Sequence, residues 1–126
     1  MADPQRPEPY PVPFPVSPGI NRAGRVALIA GVVAAVLGLI HQGVVSYVPV
    51  IMNQVGADVS QVVGLFTAFT LVHTLISAVA VAFGAYGVTR PGLPHAAAGV
   101  GLGIGAVGAA AGIVALVIVP LISLTL

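Results

Sequence analysis

The sequence predicts an all-α membrane protein: three transmembrane helices preceded by a disordered proline-rich N-terminal tail. Three observations carry that reading. Of the 126 residues, 58% are hydrophobic and only 6% are charged, whereas a soluble domain typically carries about 25% charged residues, so a water-facing surface cannot be assembled from this chain. The apolar residues gather into three blocks, about 26–48, 62–86 and 96–119, each long enough to cross a hydrocarbon core of roughly 30 Å. The N-terminal residues break from that pattern, with seven prolines in the fifteen positions PQRPEPYPVPFPVSP. The chain thus divides into a cytoplasmic tail and basic collar, 1–25, and a transmembrane domain, 26–126.

Proline fixes φ and removes an amide donor, so the tail favours extended polyproline II over helix or sheet. Two uses are open to it. One is a docking strip for an aromatic groove on a cytoplasmic partner, through Pro4-x-x-Pro7 or Pro15-x-x-Pro18. The other, which composition favours, is a solvated spacer. Arg22 and Arg25 form the collar that follows.

In the first block, Ala27, Gly31, Ala34 and Gly38 recur at steps of four, three and four. Small residues in such a stripe let helix backbones approach closely in lipid. The next step reaches His41, with Gln42 at its edge. Tyr47 suits a membrane interface and Pro49 is expected to end or bend the helix. The block also has the length of a signal-peptide core, but the proline tail makes a long leading region and no Ala-x-Ala site follows, so a retained span is preferred. NQVGADVSQ, 53–61, reads as a polar connector whose one charge is Asp58.

The second block runs 25 residues without a charge. On a helical projection Leu65, Phe69, Val72, Ile76, Val79 and Phe83 make a bulky ridge, expected to meet lipid. Thr67, Thr70, Thr74, Ser77 and Gly84 make the opposite seam, expected to meet protein. His73 flanks that seam. GVTRPGLPH then spells a turn. The third block carries two small stripes on opposite faces, Gly101, Gly105, Gly108 and Gly112 on one, and Gly99, Gly103, Ala106 and Ala110 on the other. It is therefore expected either to lie between the other helices or to pair with another chain as well.

Loop charge sets the orientation. Arg22 and Arg25 precede the first span and Arg90 lies between the second and third, whereas the first connector holds only Asp58. The positive-inside rule places the N-terminus and the Arg90 turn in the cytoplasm and the C-terminus outside the plasma membrane.

His41 and His73 fall at a shared depth, roughly 20–24 Å from the collar end of antiparallel helices. An intramembrane ionisable residue is a functional-site hypothesis by default. A His41–His73 pair, supported by Gln42, Thr70 and Thr74, would bind a proton, a metal or a polar ligand. Against this, the spans contain no Asp, Glu or Cys to complete a metal shell or a proton relay. Neutral imidazoles that hydrogen-bond across helices explain the pair equally simply, and that structural reading is preferred. With no paired carboxylates and no Ser, His and acid placed as a triad, the chain is not expected to be an enzyme, nor to need a cofactor. A net charge of +1 lacks the basic footprint of a nucleic-acid binder. The glycines of GVGLGIGAVG follow no strand, so they read as packing contacts rather than a nucleotide fingerprint.

The proline tail, the NRAGR collar, the ALIAGVVAAVLGLI span, and FGAYGVTRPG leading into HAAAGVGLGIGAVGAAAGIVAL together resemble a broad class of small, proline-tailed, multi-spanning actinobacterial membrane proteins of unknown function. The resemblance implies a cell-envelope location and no particular activity. The expected function is a non-catalytic accessory or scaffold subunit of an envelope assembly, with the bilayer and either other membrane subunits or further copies of itself as partners. The alternative is a small oligomeric transporter or ligand-binding protein that uses the His41/His73 level.

Overall fold

The computed structural model describes residues 19–56, 58–118 and 120–121. The proline tail, with its spacer and docking readings, falls at 1–18 and lies outside them. Among the described residues the chain is helical, without strands: α1 (Arg22–Val55), α2 (Val59–Val88) and α3 (Ala96–Ile113), the last continued by a wider π-helical turn, Val114–Ile118. Short connections make an up-down-up bundle in which every helix touches both others. All three helices are long and apolar enough to cross a membrane.

α1 does not stop at Pro49. It carries the proline inside and ends six residues later. Proline removes one ladder hydrogen bond, but membrane helices tolerate this where neighbouring groups re-satisfy the backbone. The terminator is Gly56, whose φ of 61° is left-handed, a conformation glycine adopts without the clash of a Cβ. The connector expected at 53–61 therefore contracts to 56–58, and Asp58 becomes the cap of α2, its carboxylate accepting from the Ser60 amide at 2.9 Å. The turn before α3 has its own left-handed glycine, Gly92 at φ 75°.

The packing is inverted relative to a water-soluble domain. Among the described residues, the fully buried hydrophobic side chains are alanines, Ala27, Ala34, Ala80 and Ala98, and the largest side chain with essentially no exposure is Ser77. Large hydrophobics point outward, with Leu39 75%, Val107 73% and Leu65 69% exposed. In lipid, burying a leucine brings little over leaving it among acyl chains, so small residues that allow close contact occupy the interfaces. The ridge of α2 follows this rule at Leu65, Val72, Val79 and Phe83, all exposed, whereas Phe69 and Ile76 are half-buried.

Closeness is uneven along the bundle. At the collar end a Cβ built on Gly101 would collide with the Ala27 backbone and stand 2.7 Å from the Leu28 nitrogen. One on Gly84 would lie 2.8–2.9 Å from Leu102, and one on Gly87 would meet Ala98 at 2.8 Å. Farther along, Gly43 and Gly64 have nothing within 4 Å. α2 and α3 stay close as far as Gly112, where a Cβ would overlap Thr74, whereas α1 and α2 leave open space between them toward the Asp58 end.

Candidate functional site

Where the helices begin to part, His41 from α1 meets α2. Its ring stacks on Phe69 with centroids 5.2 Å apart and an interplanar angle of 11°, and Phe66 approaches it at 5.4 Å and 60°. Phe66 and Phe69 are three residues apart and so share a helix face. This pair holds the imidazole by its face and edge. Its Nε2 is buried and has no hydrogen-bond partner.

His73 enters from α2. Its Nε2 lies 3.3 Å from where a Cβ on Gly38 would be, and its Cε1 3.3 Å from that of Gly108. Glycines on both neighbouring helices thus make room for the ring. His41, Thr70 and His73 line one cavity of about 150 Å³, together with Gly38, Ala111, Gly112 and Ala115. The two histidines placed at one depth by sequence therefore face one space.

The remaining members of the expected cluster divide. The Thr70 hydroxyl donates to the Phe66 carbonyl at 2.9 Å and that of Thr74 to the Thr70 carbonyl at 2.7 Å. Both hydroxyl protons are engaged within α2, leaving oxygen lone pairs as their free capacity. Thr74 turns to α3, where its Oγ1 fills the space a Cβ on Gly112 would need. Gln42 does not belong to the cluster. One residue beyond His41 it is rotated by about 100°, it is exposed, and its backbone carbonyl accepts from the Ser46 hydroxyl at 2.9 Å.

Two larger cavities adjoin the first. One of about 450 Å³ opens between the distal halves of α1 and α2 and shares His41, Thr70 and Ala115 with it, its other walls including Val48, Pro49, Met52, Val62 and Leu116. Another of about 450 Å³ lies between α1 and α3, sharing Gly38, His73 and Ala111. The π-helical turn supplies Ala115 and Leu116. The Val114 amide at its start is shared between the Ala110 and Ala111 carbonyls. Such turns recur at functional sites because they re-aim side chains. Among the described residues no three of His, Cys, Asp or Glu gather closely enough to hold a metal, and two imidazoles alone fall short of a tetrahedral shell.

The small-residue stripes have unequal roles. Gly31 and Gly38 of α1 face α3 and His73 respectively, and Gly101, Gly105, Gly108 and Gly112 meet α1 and α2. Gly99 and Gly103, expected as packing positions, have nothing within 4 Å and are exposed. Gly103 borders the cavity between α1 and α3, so the second stripe starts at the edge of the α1 contact and turns outward from it.

At the collar, Arg22, Arg25 and Arg90 are exposed at one end of the bundle. The Arg90 guanidinium lies 4.4 Å over the Tyr86 ring, and His95 Nε2 lies 2.8 Å from the Arg90 carbonyl. Sequence reasoning did not single out Asn21, whose buried side chain joins three segments. Its Oδ1 accepts from the Gly24 amide at 2.9 Å. Its Nδ2 donates to the Gly87 carbonyl at 2.9 Å and the Pro94 carbonyl at 3.0 Å.

Comparison with protein-family models, with curated proteins and with solved structures finds no match.

Proposed function

We propose that this chain is a non-catalytic, multi-pass accessory or scaffold subunit of a cell-envelope assembly. It would sit in the plasma membrane with the collar in the cytoplasm and the C-terminus outside, in keeping with the actinobacterial membrane proteins it resembles. The observation that carries this reading is the outward face of α3. Gly99 and Gly103 leave open space where side chains would be, and Ala106 and Ala110 continue the exposed small stripe along the same helix. A surface that admits close backbone approach is what a partner helix uses in lipid, where van der Waals packing is a main driver of association.

The test is recovery of co-purifying subunits, or of crosslinked copies of the chain, from mild detergent. Gly103→Leu with Ala106→Leu should lose the partner at least tenfold while the monomer stays folded. Undiminished recovery would leave that face to lipid.

A second reading is favoured by the cavity at His41 and His73: a small transporter, acting as an oligomer, or a ligand-binding membrane protein. His41→Leu with His73→Leu should abolish flux while assembly stays intact. Lost assembly with no flux to lose would return the pair to a structural role.

A further inference from the structure

We infer that the collar end of the bundle binds the phosphate of an anionic phospholipid from the side, at the first turn of α1 and the Tyr86–Arg90 end of α2. The inference requires neither the accessory role nor a particular orientation of the chain in the membrane.

The site is set by the sides on which three arginines lie. Arg22 and Arg25 are three residues apart and share a face of α1. One turn on, that face continues as Val26 and Ile29, both exposed, so it is turned to lipid rather than to the other helices. Arg90 follows the end of α2, yet its guanidinium lies back over the Tyr86 ring, 4.4 Å from the centroid. Tyr86 is itself exposed and continues the exposed residues Val79 and Phe83 at steps of four and three. The two sets stand at one level. Asn21, the neighbour of Arg22, donates to the Gly87 and Pro94 carbonyls, which bracket Arg90 in the chain. Arg25 lies about 4.5 Å deeper along α1. Fixing orientation requires arginines on one side of the membrane. It does not require them on lipid-facing sides of the helices, nor one of them drawn back onto a tyrosine.

The occupant follows from place and charge. Beside a helix at this level lies the head-group layer, where tyrosine is enriched. Among the described residues the one acidic side chain is Asp58, at the opposite end of the bundle. α1 and α3 both begin at the collar, and neither has an acidic residue in its first turn. Cations at a helix N-terminus meet the positive end of its dipole, so Arg22 and Arg25 carry a repulsion that an anion relieves. Guanidinium groups match phosphate oxygens in a bidentate fork. A zwitterionic head brings its own cation with the phosphate, whereas an anionic head does not, and the site therefore favours net negative charge.

The full-length protein would be reconstituted in vesicles of mixed phosphatidylcholine and phosphatidylglycerol, with one lipid or the other carrying a diazirine on its acyl chain next to the glycerol. After irradiation the labelled residues are mapped by mass spectrometry. Both leaflets have the same composition, so exposed Val59 and Val63 at the far end are an internal reference whichever way the chain inserts. Labelling of Val26, Ile29 and Tyr86 relative to that reference should be at least about fivefold higher with phosphatidylglycerol than with phosphatidylcholine, the factor one arginine supplies near an anionic surface. Asp58→Asn should keep the preference, which excludes repulsion at the far end as its source. Arg22→Gln with Arg25→Gln and Arg90→Gln should bring the two lipids to parity, with phosphatidylcholine labelling of Val59 and Val63 unchanged as the control for insertion. Parity in the unaltered protein would overturn the proposal, and so would a preference that survives the arginine substitutions. Loss of the preference to inorganic phosphate, but not to chloride of equal ionic strength, would make this a free-anion site and overturn the lipid as occupant. A preference that emerges only after removal of residues 1–18 would give the arginines to Asp3 and Glu8 and overturn it equally.

Discussion

Asn21 does three things with one amide. Its oxygen caps α1, and its nitrogen holds the end of α2 and the turn before α3 through the Gly87 and Pro94 carbonyls. Only 5% of the residue is exposed, so water cannot replace those bonds. Asn21→Ala removes a cap worth about 1 kcal/mol and orphans two carbonyls, for an expected loss of about 2–4 kcal/mol. Asn21→Asp keeps the capping oxygen but loses the donor and points negative charge at two carbonyls, so it should fall nearer to Ala than to the native chain. Unfolding in mixed micelles measures both, and a Asn21→Asp variant as stable as the native protein would contradict the role of Nδ2. Half of this was legible in the sequence: Asn before a helix is an ordinary start signal. The other half was not, because the two carbonyls belong to residues 66 and 73 positions away.

The same divide between local and distant information explains the site. His41 and His73 could be placed at one depth from helical rise alone. That they line one cavity depends on the rotation of α1 against α2, which no single helix encodes. The periodicity of α2 puts Phe69 on a ridge expected to meet lipid, yet it stacks on His41. Periodicity identifies a bulky face without identifying which neighbour covers part of it. Gln42 erred the other way, since adjacency in sequence turns a side chain about a quarter-turn from its predecessor on a helix.

At the scale of the element, α3 tests whether glycine here is a requirement or a compositional habit. Its two stripes look alike in sequence, yet a Cβ on Gly101 would strike the Ala27 backbone while one on Gly99 would meet nothing. Backbone cannot swing aside as a side chain does, so Gly101→Ala must push α1 and α3 apart, at a cost of about 1–3 kcal/mol by analogy with overpacked cores. Gly99→Ala should be neutral or stabilising by up to about 1 kcal/mol, from the conformational entropy that glycine loses on folding. Thermal unfolding in one detergent compares them directly, and equal effects would mean the stripes are equivalent. The end of α1 carries the complementary lesson. Of the two outcomes expected at Pro49, an end or a bend, the end does not occur, because a proline within a membrane helix removes one hydrogen bond without removing the apolar drive to continue. The stop was Gly56, five residues before the end of the expected connector.

For the whole molecule, three helices and their order were legible because apolar length is a property of the chain alone. The continued closeness of α2 and α3 and the open space between the distal halves of α1 and α2 were not, since both arise from which small residues happen to meet. The collar does gather what decides orientation. Antiparallel packing brings Arg22, Arg25 and Arg90 to one end of the bundle and leaves Asp58 at the other. Arginine retained on the cytoplasmic side of short loops fixes topology, while a lone acidic residue contributes little. The chain has no cysteine, so a single introduced thiol reports without background. Ser60→Cys lies beside Asp58 at an exposed position, and Thr89→Cys lies beside Arg90, also exposed. An impermeant maleimide added to intact cells should label Ser60→Cys and spare Thr89→Cys until the membrane is opened. The reverse pattern would place the arginines outside and overturn the orientation proposed for this protein. Labelling of both positions in intact cells would mean that the loops do not lie on opposite sides, and would overturn the spanning of α2.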